Sequence, residues 1–205
     1  MQSPSSPPSA PCLVRAFLIP RPREIEVRVP EAPLRETKYG LVADVDGWFV
    51  VNAREARWRD SGPFGVYCDF EGKRPFRQLG FNISILEPGQ SLGYYHRENG
   101  QEDFLVLSGS CVLIADDEER PLETWDFVHC PPGTPHMIVG AGDGPSVVLA
   151  VGARGLPRKG LVYLPSETAR KHGVSVDEET TKPSEAYADL PKSSRVSYGG
   201  WLPEL

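Results

Sequence analysis

Short apolar runs, rich in Val, Ile and aromatic residues, recur along the chain and are bounded by Gly, Pro, Asn or Asp. Closely spaced short strands with turn residues between them are typical of an all-β sandwich or barrel. The pattern shows no internal repeat, which favours one barrel rather than a duplicated one. The predicted strands cover residues 25–29, 47–52, 80–86, 103–115, 125–130, 136–141 and 146–153.

One helix and two polar ends complete this picture. Ser166 is placed as the N-cap of a helix that runs to His172 and is stopped by Gly173. Residues 1–11, dominated by Pro and Ser, offer almost nothing to bury and are expected to be disordered. The tail from about Asp177 lacks sustained periodicity, so we expect it to wrap a surface or to hang free.

The longest apolar run, residues 103–115, is apolar on both faces of a strand. Phe104 and Val106 face one side, and the leucines that follow each of them face the other. A sheet that is apolar on both sides must be covered on both. We therefore expect its outer face to pack against the N-terminal segment or against a second subunit.

Composition and charge narrow the class of protein. A chain of 205 residues that is 40% hydrophobic can bury the core of one domain with appendages. A formal charge of −6, with scattered Lys and Arg, gives no electrostatic footprint for nucleic acid or for an anionic membrane. No apolar run approaches the roughly 18 residues of a membrane span, and no secretory signal pattern is visible, so a cytoplasmic protein is expected. The four cysteines form no CxxC pair and are expected to be reduced and mostly buried.

A polar cluster stands directly before the longest apolar run. His96 and Glu98 are two residues apart and would share one face of an extended strand. Asn99-Gly100 is a strong turn signal, after which the chain can return Glu102 toward the same side. The cluster is therefore either a solvated loop or a set of metal ligands gathered at the mouth of a barrel.

A second segment, HCPPGTPH at residues 129–136, carries a stiff turn. Its prolines and its glycine fix the backbone and aim the residue that follows, His136. For His129, ordinary packing is the default interpretation because alternation does not settle which face it occupies. The rigid turn favours His136 as a preorganised ligand.

Together the two segments resemble the paired motifs of the cupin superfamily. The resemblance covers about residues 80–153, and fifteen residues separate the two motifs, as is usual in that family. The chain departs from the family pattern at Glu98, where a second His is expected, and at Gly140, where an Asn is expected. Gln90 and Trp125 also replace motif glycines. Pro88-Gly89 lead into the first motif, and the positions that match are His96, Glu102, Gly109, Pro131, Gly133 and His136.

The resemblance implies an all-β fold of the cupin type, a double-stranded β-helix or jelly-roll barrel, at residues 80–153. Residues 12–79 would then form an N-terminal β extension that packs on the barrel or on a partner, and residues 154–205 a short C-terminal helix and tail. Cupins that resemble this chain are commonly dimers, so a homodimer is expected.

The resemblance also implies a metal site. Its ligands would be His96, Glu102 and His136, with Glu98 in the remaining position as a fourth ligand, a hydrogen-bond partner of a ligand His, or a base. The cofactor would be one divalent transition metal ion, Zn, Fe, Mn or Ni. Tyr94, two residues before His96, is a candidate to line the pocket and assist catalysis, and core packing is its alternative.

As for function, the resemblance implies a metal-dependent enzyme that acts on a small oxygenated metabolite. Dioxygenases and sugar or sugar-phosphate isomerases are the expected types, with Glu98 and Tyr94 as catalytic candidates. The alternative is a non-catalytic module that binds a small molecule or is stapled by its metal. The fold alone does not choose between these.

Overall fold

The computed structural model describes residues 28–155 and 160–204. The disorder predicted for residues 1–11, most of the strand predicted at 25–29, and Cys12 lie outside the described residues. Within them, no helix is long and apolar enough to cross a membrane.

Antiparallel strands make up most of the described regular structure, which confirms the all-β prediction. Two short helices, α1 (Glu167–Lys171) and α2 (Pro183–Ala186), follow the main run of strands, and a 3-10 helix spans Gly62–Phe64. The strands are β1 (Leu34–Thr37), β2 (Gly40–Ala43), β3 (Trp58–Asp60), β4 (Val66–Cys68), β5 (Leu79–Leu86), β6 (His96–Arg97), β7 (Glu102–Ser108), β8 (Ser110–Ala115), β9 (Glu118–Leu122), β10 (Phe127–Cys130), β11 (His136–Ala141), β12 (Ser146–Ala153), β13 (Val162–Tyr163) and β14 (Ser194–Val196).

Two sheets form the barrel, and a separate hairpin joins β1 to β2. The first sheet has the order β10-β7-β12-β5-β4-β3-β14, and the second has the order β13-β6-β11-β8-β9. From β5 to β12, strands that follow one another in the chain mostly alternate between the two sheets, which is the arrangement of a jelly roll. Side chains that point inward from both sheets therefore share one interior.

The apolar run at residues 103–115 is two strands rather than the single strand predicted. Gly109 separates them with a φ of +78°, and β7 lies in the first sheet while β8 lies in the second. A Cβ on Gly109 would lie 2.8 Å from the carbonyl oxygen of Pro145. Because both strands are apolar, their pattern gives no sign of the corner between them.

The prediction of a strand at residues 47–52 is wrong. This segment makes a single isolated bridge, between Trp48 and Glu31, and Val50 is 78% exposed. The apolar residues of this segment therefore do not form the buried face of a strand. The strands that do form nearby, β1 to β4, are three or four residues long, too short for their pattern to stand out.

The outer face of the first sheet is covered by segments from both ends of the described chain. Trp58 is fully buried there and packs on Tyr198 and Trp201, with ring centroids 5.8 Å and 5.3 Å away. The tail also extends the sheet, because β14 pairs with β3. Leu107, on the outer side of β7, packs against this cluster.

The predicted helix is confirmed as α1. Ser166 is its N-cap and accepts a hydrogen bond from the backbone N–H of Ala169 at 2.9 Å, and Gly173 follows with a φ of +71°. Helix α2 was missed because it spans a single turn. The three described cysteines, at positions 68, 111 and 130, are free and buried, as expected.

Candidate metal centre

Two histidines face each other across neighbouring strands of the second sheet. His96 of β6 is in register with His136 of β11, and their ring centroids are 5.1 Å apart. The Nδ1 atoms lie 2.8 Å from the carbonyl oxygen of Tyr94 and 2.9 Å from that of Thr134, respectively. Since a carbonyl can only accept, each Nδ1 donates, and in a neutral ring Nε2 is left as the ligand atom.

Glu102 reaches this pair from the first sheet. Its Oε2 atom lies 3.0 Å from Nε2 of His136 and 3.5 Å from Nε2 of His96. The ligand atoms of the three residues all lie within 4.8 Å of one another. An ion about 2.0–2.2 Å from nitrogen and oxygen ligands places those ligands roughly 3.0–3.5 Å apart. The three side chains therefore fit one divalent transition metal ion.

Small residues beside Glu102 create space for a ligand. Glu102 is in register with Gly152, which is in turn in register with Gly80. A Cβ on Gly152 would lie 3.0 Å from Oε1 of Glu102. The next inward-facing row of the sheet holds another small residue, Ala150. These positions leave the interior unfilled on the side of the ligand cluster.

The resulting cavity has a volume of about 420 Å³, and His96, Glu102 and His136 form part of its wall. Phe104 and Ile138 contribute apolar surface. This volume falls in the range of small-molecule sites, roughly 300–1,000 Å³. The polar and charged part of the wall includes Asp69, Glu71, Asn82, Ser84, Arg154 and Tyr187.

The carboxylate and the buried imidazole hold each other in charged forms. Burial alone would raise the pKa of Glu102, but hydrogen bonds from His136 and His96 outweigh it and hold the pKa well below its usual range. Burial alone would lower the pKa of His136, but hydrogen bonds with Cys130 and Glu102 raise it. Without an ion, the site is an ion pair between Glu102 and protonated His136.

Metal uptake near neutral pH is therefore expected to release about one proton. Because its pKa is raised, His136 still carries a proton at pH 7.5, and an ion must displace that proton to reach Nε2. An unperturbed histidine is about 90% neutral at this pH and would release about 0.1 proton. Calorimetric titration of Zn²⁺ in HEPES and in Tris, two buffers whose ionisation enthalpies differ, measures the number of protons released for each ion bound. Release of fewer than about 0.2 protons at pH 7.5 would contradict the ion pair.

Glu98 is not one of the three grouped ligands. Strand β6 ends at Arg97, so strand alternation does not carry Glu98 to the face of His96. Its side chain lines a neighbouring cavity of about 800 Å³, and its backbone oxygen accepts a hydrogen bond from Gly133 at 2.7 Å. Burial and then the charge of Glu102 raise the pKa of Glu98, and the nearby His96 opposes this rise. That Glu98 serves as a metal ligand or as a base stays a prediction.

The expectation that Tyr94 lines the ligand cavity is not met. Its ring packs edge-on against Phe64 and beside Tyr187, with centroids 5.3 Å and 5.1 Å away. Tyr94 instead serves the site through its backbone, since its carbonyl oxygen orients His96. Two tyrosines do stand in the cavity wall, Tyr67 from β4 and Tyr187 from the C-terminal tail. No local pattern in the sequence distinguishes either of them.

Two further features complete the candidate site. Gly140 stands where the family pattern expects Asn, and a Cβ there would lie 2.6 Å from the carbonyl oxygen of Glu87, so this backbone leaves no room for a side chain. His129 lies outside the cluster, where its Nδ1 atom is 2.6 Å from Oδ1 of Asp103. The structure thus brings together three of the four side chains that the sequence motifs proposed as ligands.

Comparison with known proteins gives a family match. Residues 82–152 match the family model described as "Cupin domain". No curated protein matches the chain.

Several solved structures are similar to parts of the chain. A candidate sugar phosphate isomerase from Acidithiobacillus ferrooxidans is 31% identical with a TM-score of 0.37, over 38% of this chain and 51% of that one. A sugar phosphate isomerase of a cupin superfamily from Silicibacter pomeroyi is 28% identical with a TM-score of 0.40, over 50% and 62% of the two chains. A Cupin 2 conserved barrel domain protein from Salinispora arenicola is 19% identical with a TM-score of 0.39, over 52% and 81%. This chain thus spans between half and two thirds of the two isomerase structures.

Proposed function

From the match of residues 82–152 to the cupin family model, we propose a metal-dependent enzyme that acts on a small oxygenated metabolite. In this proposal one divalent transition metal ion is held by His96, Glu102 and His136. The observation that carries the proposal is the convergence of their three ligand atoms at the wall of a cavity of small-molecule size.

The donor set suits this chemistry. Two imidazoles and one carboxylate leave further coordination positions open, as in the facial sites of non-haem iron enzymes. A bound ion would act as a Lewis acid and polarise a substrate oxygen. The protein's own contribution is a rigid donor set, because backbone carbonyls at Tyr94 and Thr134 fix both imidazole rings.

Glu98 is proposed as the group that moves a proton. Its carboxyl is half-buried, and its raised pKa favours the exchange of a proton nearer neutral pH than an exposed glutamate allows. The charge of Glu102 contributes to that rise, and Glu98 follows His96 by two residues in the chain. Iron-dependent oxygen uptake would identify a dioxygenase, and turnover without oxygen would identify an isomerase.

Elemental analysis of protein purified without chelator tests the metal site. We expect about one transition metal ion per chain in the wild type and less than about a tenth of that in His96→Ala. His129→Ala is the matched control, because His129 is half-exposed and bound to Asp103 outside the cluster. It should keep the wild-type metal content.

A wild-type protein that stays empty after incubation with Fe²⁺, Mn²⁺, Ni²⁺ and Zn²⁺ would overturn the proposal. A protein that keeps its ion but turns over no oxygenated metabolite would instead be the non-catalytic module. The homodimer stays a prediction that light scattering tests.

A further inference from the structure

Two polar side chains on β5 line the ligand cavity. Asn82 and Ser84 both line the cavity, and neither side chain makes a hydrogen bond to any residue in the described part of the chain. Ser84 is only 5% exposed. The polar atoms of both residues border the open space of the cavity, so the pair offers hydrogen-bonding positions to a small molecule that enters it.

The sheet register fixes where this pair stands relative to the metal ligands. Asn82 is in register with Ala150, and Ala150 with Phe104, which is two residues beyond Glu102 on the same face of β7. Two strand spacings across and one side-chain repeat along a strand separate the Cα positions of Asn82 and Glu102 by roughly 12 Å. A small molecule that touches the ion can therefore reach Asn82 with its other end.

The charged groups of the wall are already paired. Nη1 of Arg154 lies 2.9 Å from Oε1 of Glu71. Asp69 is held by Nε of Arg59 at 2.9 Å, and a second guanidinium, that of Arg57, lies 3.7 Å away. Within the described residues, the cavity wall thus offers no arginine or lysine without an anionic partner. A phosphate group normally requires such a free cation.

A third neutral group comes from the tail. Tyr187, at the end of α2, lines the cavity, and its hydroxyl oxygen accepts a hydrogen bond from the backbone N–H of Tyr94 at 3.3 Å. With its oxygen accepting, the phenol can donate its own proton to a ligand. Apart from the three grouped ligands and the paired charges, the wall therefore offers a small molecule neutral hydrogen-bonding groups.

We infer that the cavity selects a polyhydroxylated small molecule without a phosphate group, whose hydroxyls bind Asn82 and Ser84. The inference rests on the proposed function, because the other end of the ligand binds the metal ion through two neighbouring oxygens. It names the substrate class of that site and separates it from sites for phosphorylated sugars.

A matched pair of probes tests this selection. D-Gluconate and 6-phospho-D-gluconate share a carboxylate and a neighbouring hydroxyl that can bind the ion, and they differ by one phosphate. In calorimetric titrations of Mn²⁺-loaded protein, we expect gluconate to bind and its phosphorylated form to bind at least about tenfold more weakly. Equal or tighter binding of the phosphorylated form, or no binding of gluconate, would overturn the inference.

Two variants locate the effect. Ser84→Ala and Asn82→Leu should each weaken gluconate binding by about five- to tenfold, the loss expected for one or two hydrogen bonds, while the metal content stays at the wild-type level. Ser110→Ala, at the start of β8 outside the cavity wall, is the matched control and should bind gluconate normally. Wild-type affinity in both cavity variants would refute the role of the pair.

The metal content separates the two levels of failure. A protein that loads Mn²⁺ but does not prefer gluconate refutes the selection and leaves the proposed function standing. A protein that does not load refutes the proposed function. In that case the two probes are compared on metal-free protein by thermal shift. The inference is also overturned if gluconate stabilises the wild type and Asn82→Leu equally, or if it stabilises neither.

Discussion

Replacing Glu102 with glutamine is expected to lower the affinity of the protein for a divalent transition metal ion by more than about 100-fold, since even outer partners of metal ligands are worth about 10–100-fold. Glu102 supplies the one carboxylate of the three grouped ligands, and its Oε2 atom faces both imidazoles. Glutamine has nearly the same shape but no charge, so the variant removes the anion without opening a new cavity. Competition with a chromogenic chelator for Zn²⁺ measures the change.

Glu98→Gln is the matched control for this experiment. The Glu98 carboxylate lies outside the grouped ligands, so its neutralisation should lower the affinity by less than about fivefold, through charge alone. Equal losses in the two variants would make Glu98 a ligand and contradict the three-residue site. A normal affinity in Glu102→Gln would refute the site itself.

Trp58→Ala is expected to lower the free energy of unfolding by about 3–5 kcal/mol, the range for truncating a fully buried large aromatic side chain. The Trp58 side chain is 0% exposed, and its indole N–H donates to the carbonyl oxygen of Ala53 at 2.8 Å. The substitution also removes the surface on which Tyr198 and Trp201 pack. Urea denaturation followed by circular dichroism measures the loss.

Two further variants test the same prediction if Trp58→Ala fails to fold. Trp58→Phe retains a buried ring but loses the hydrogen bond, so it should cost less than the alanine variant and still fold. Trp48→Ala removes a tryptophan that is 53% exposed and should change stability by less than about 1 kcal/mol. A loss below about 1 kcal/mol in Trp58→Ala would show that the tail and the sheet are not held together here.

The three side chains of the candidate metal centre were largely predictable because short motifs fix them. The rigid Pro-Pro-Gly-Thr-Pro turn places His136 at the start of β11. The spacing from His96 to Glu102 is long enough for the chain to pass from one sheet to the other. The Asn99-Gly100 turn signal was therefore informative, but it marks a crossing between sheets rather than a hairpin, since β6 and β7 do not pair with each other.

Other features depended on where strands end. Alternation predicted that Glu98 would share a face with His96, but the pleat stops at Arg97. The corner at Gly109 was hidden in the same way, because the residues on either side of it are apolar and continue the pattern. Alternation of side chains with a period of two indicates a strand but does not tell where that strand ends.

By itself, the sequence determined the all-β class and the cap of α1, and it picked out the three side chains that the candidate metal centre groups together, because each of these signals is a pattern or short motif that can be read locally. Only the tertiary structure decided which groups surround those ligands. Asn82 and Ser84 look like ordinary strand residues until Ala150 and Gly152 leave space before them. Tyr187 enters the cavity wall from a tail 93 positions beyond Tyr94. The physical reason is that a cavity forms where elements distant in sequence fail to fill the space between them, and local periodicity carries no information about that space.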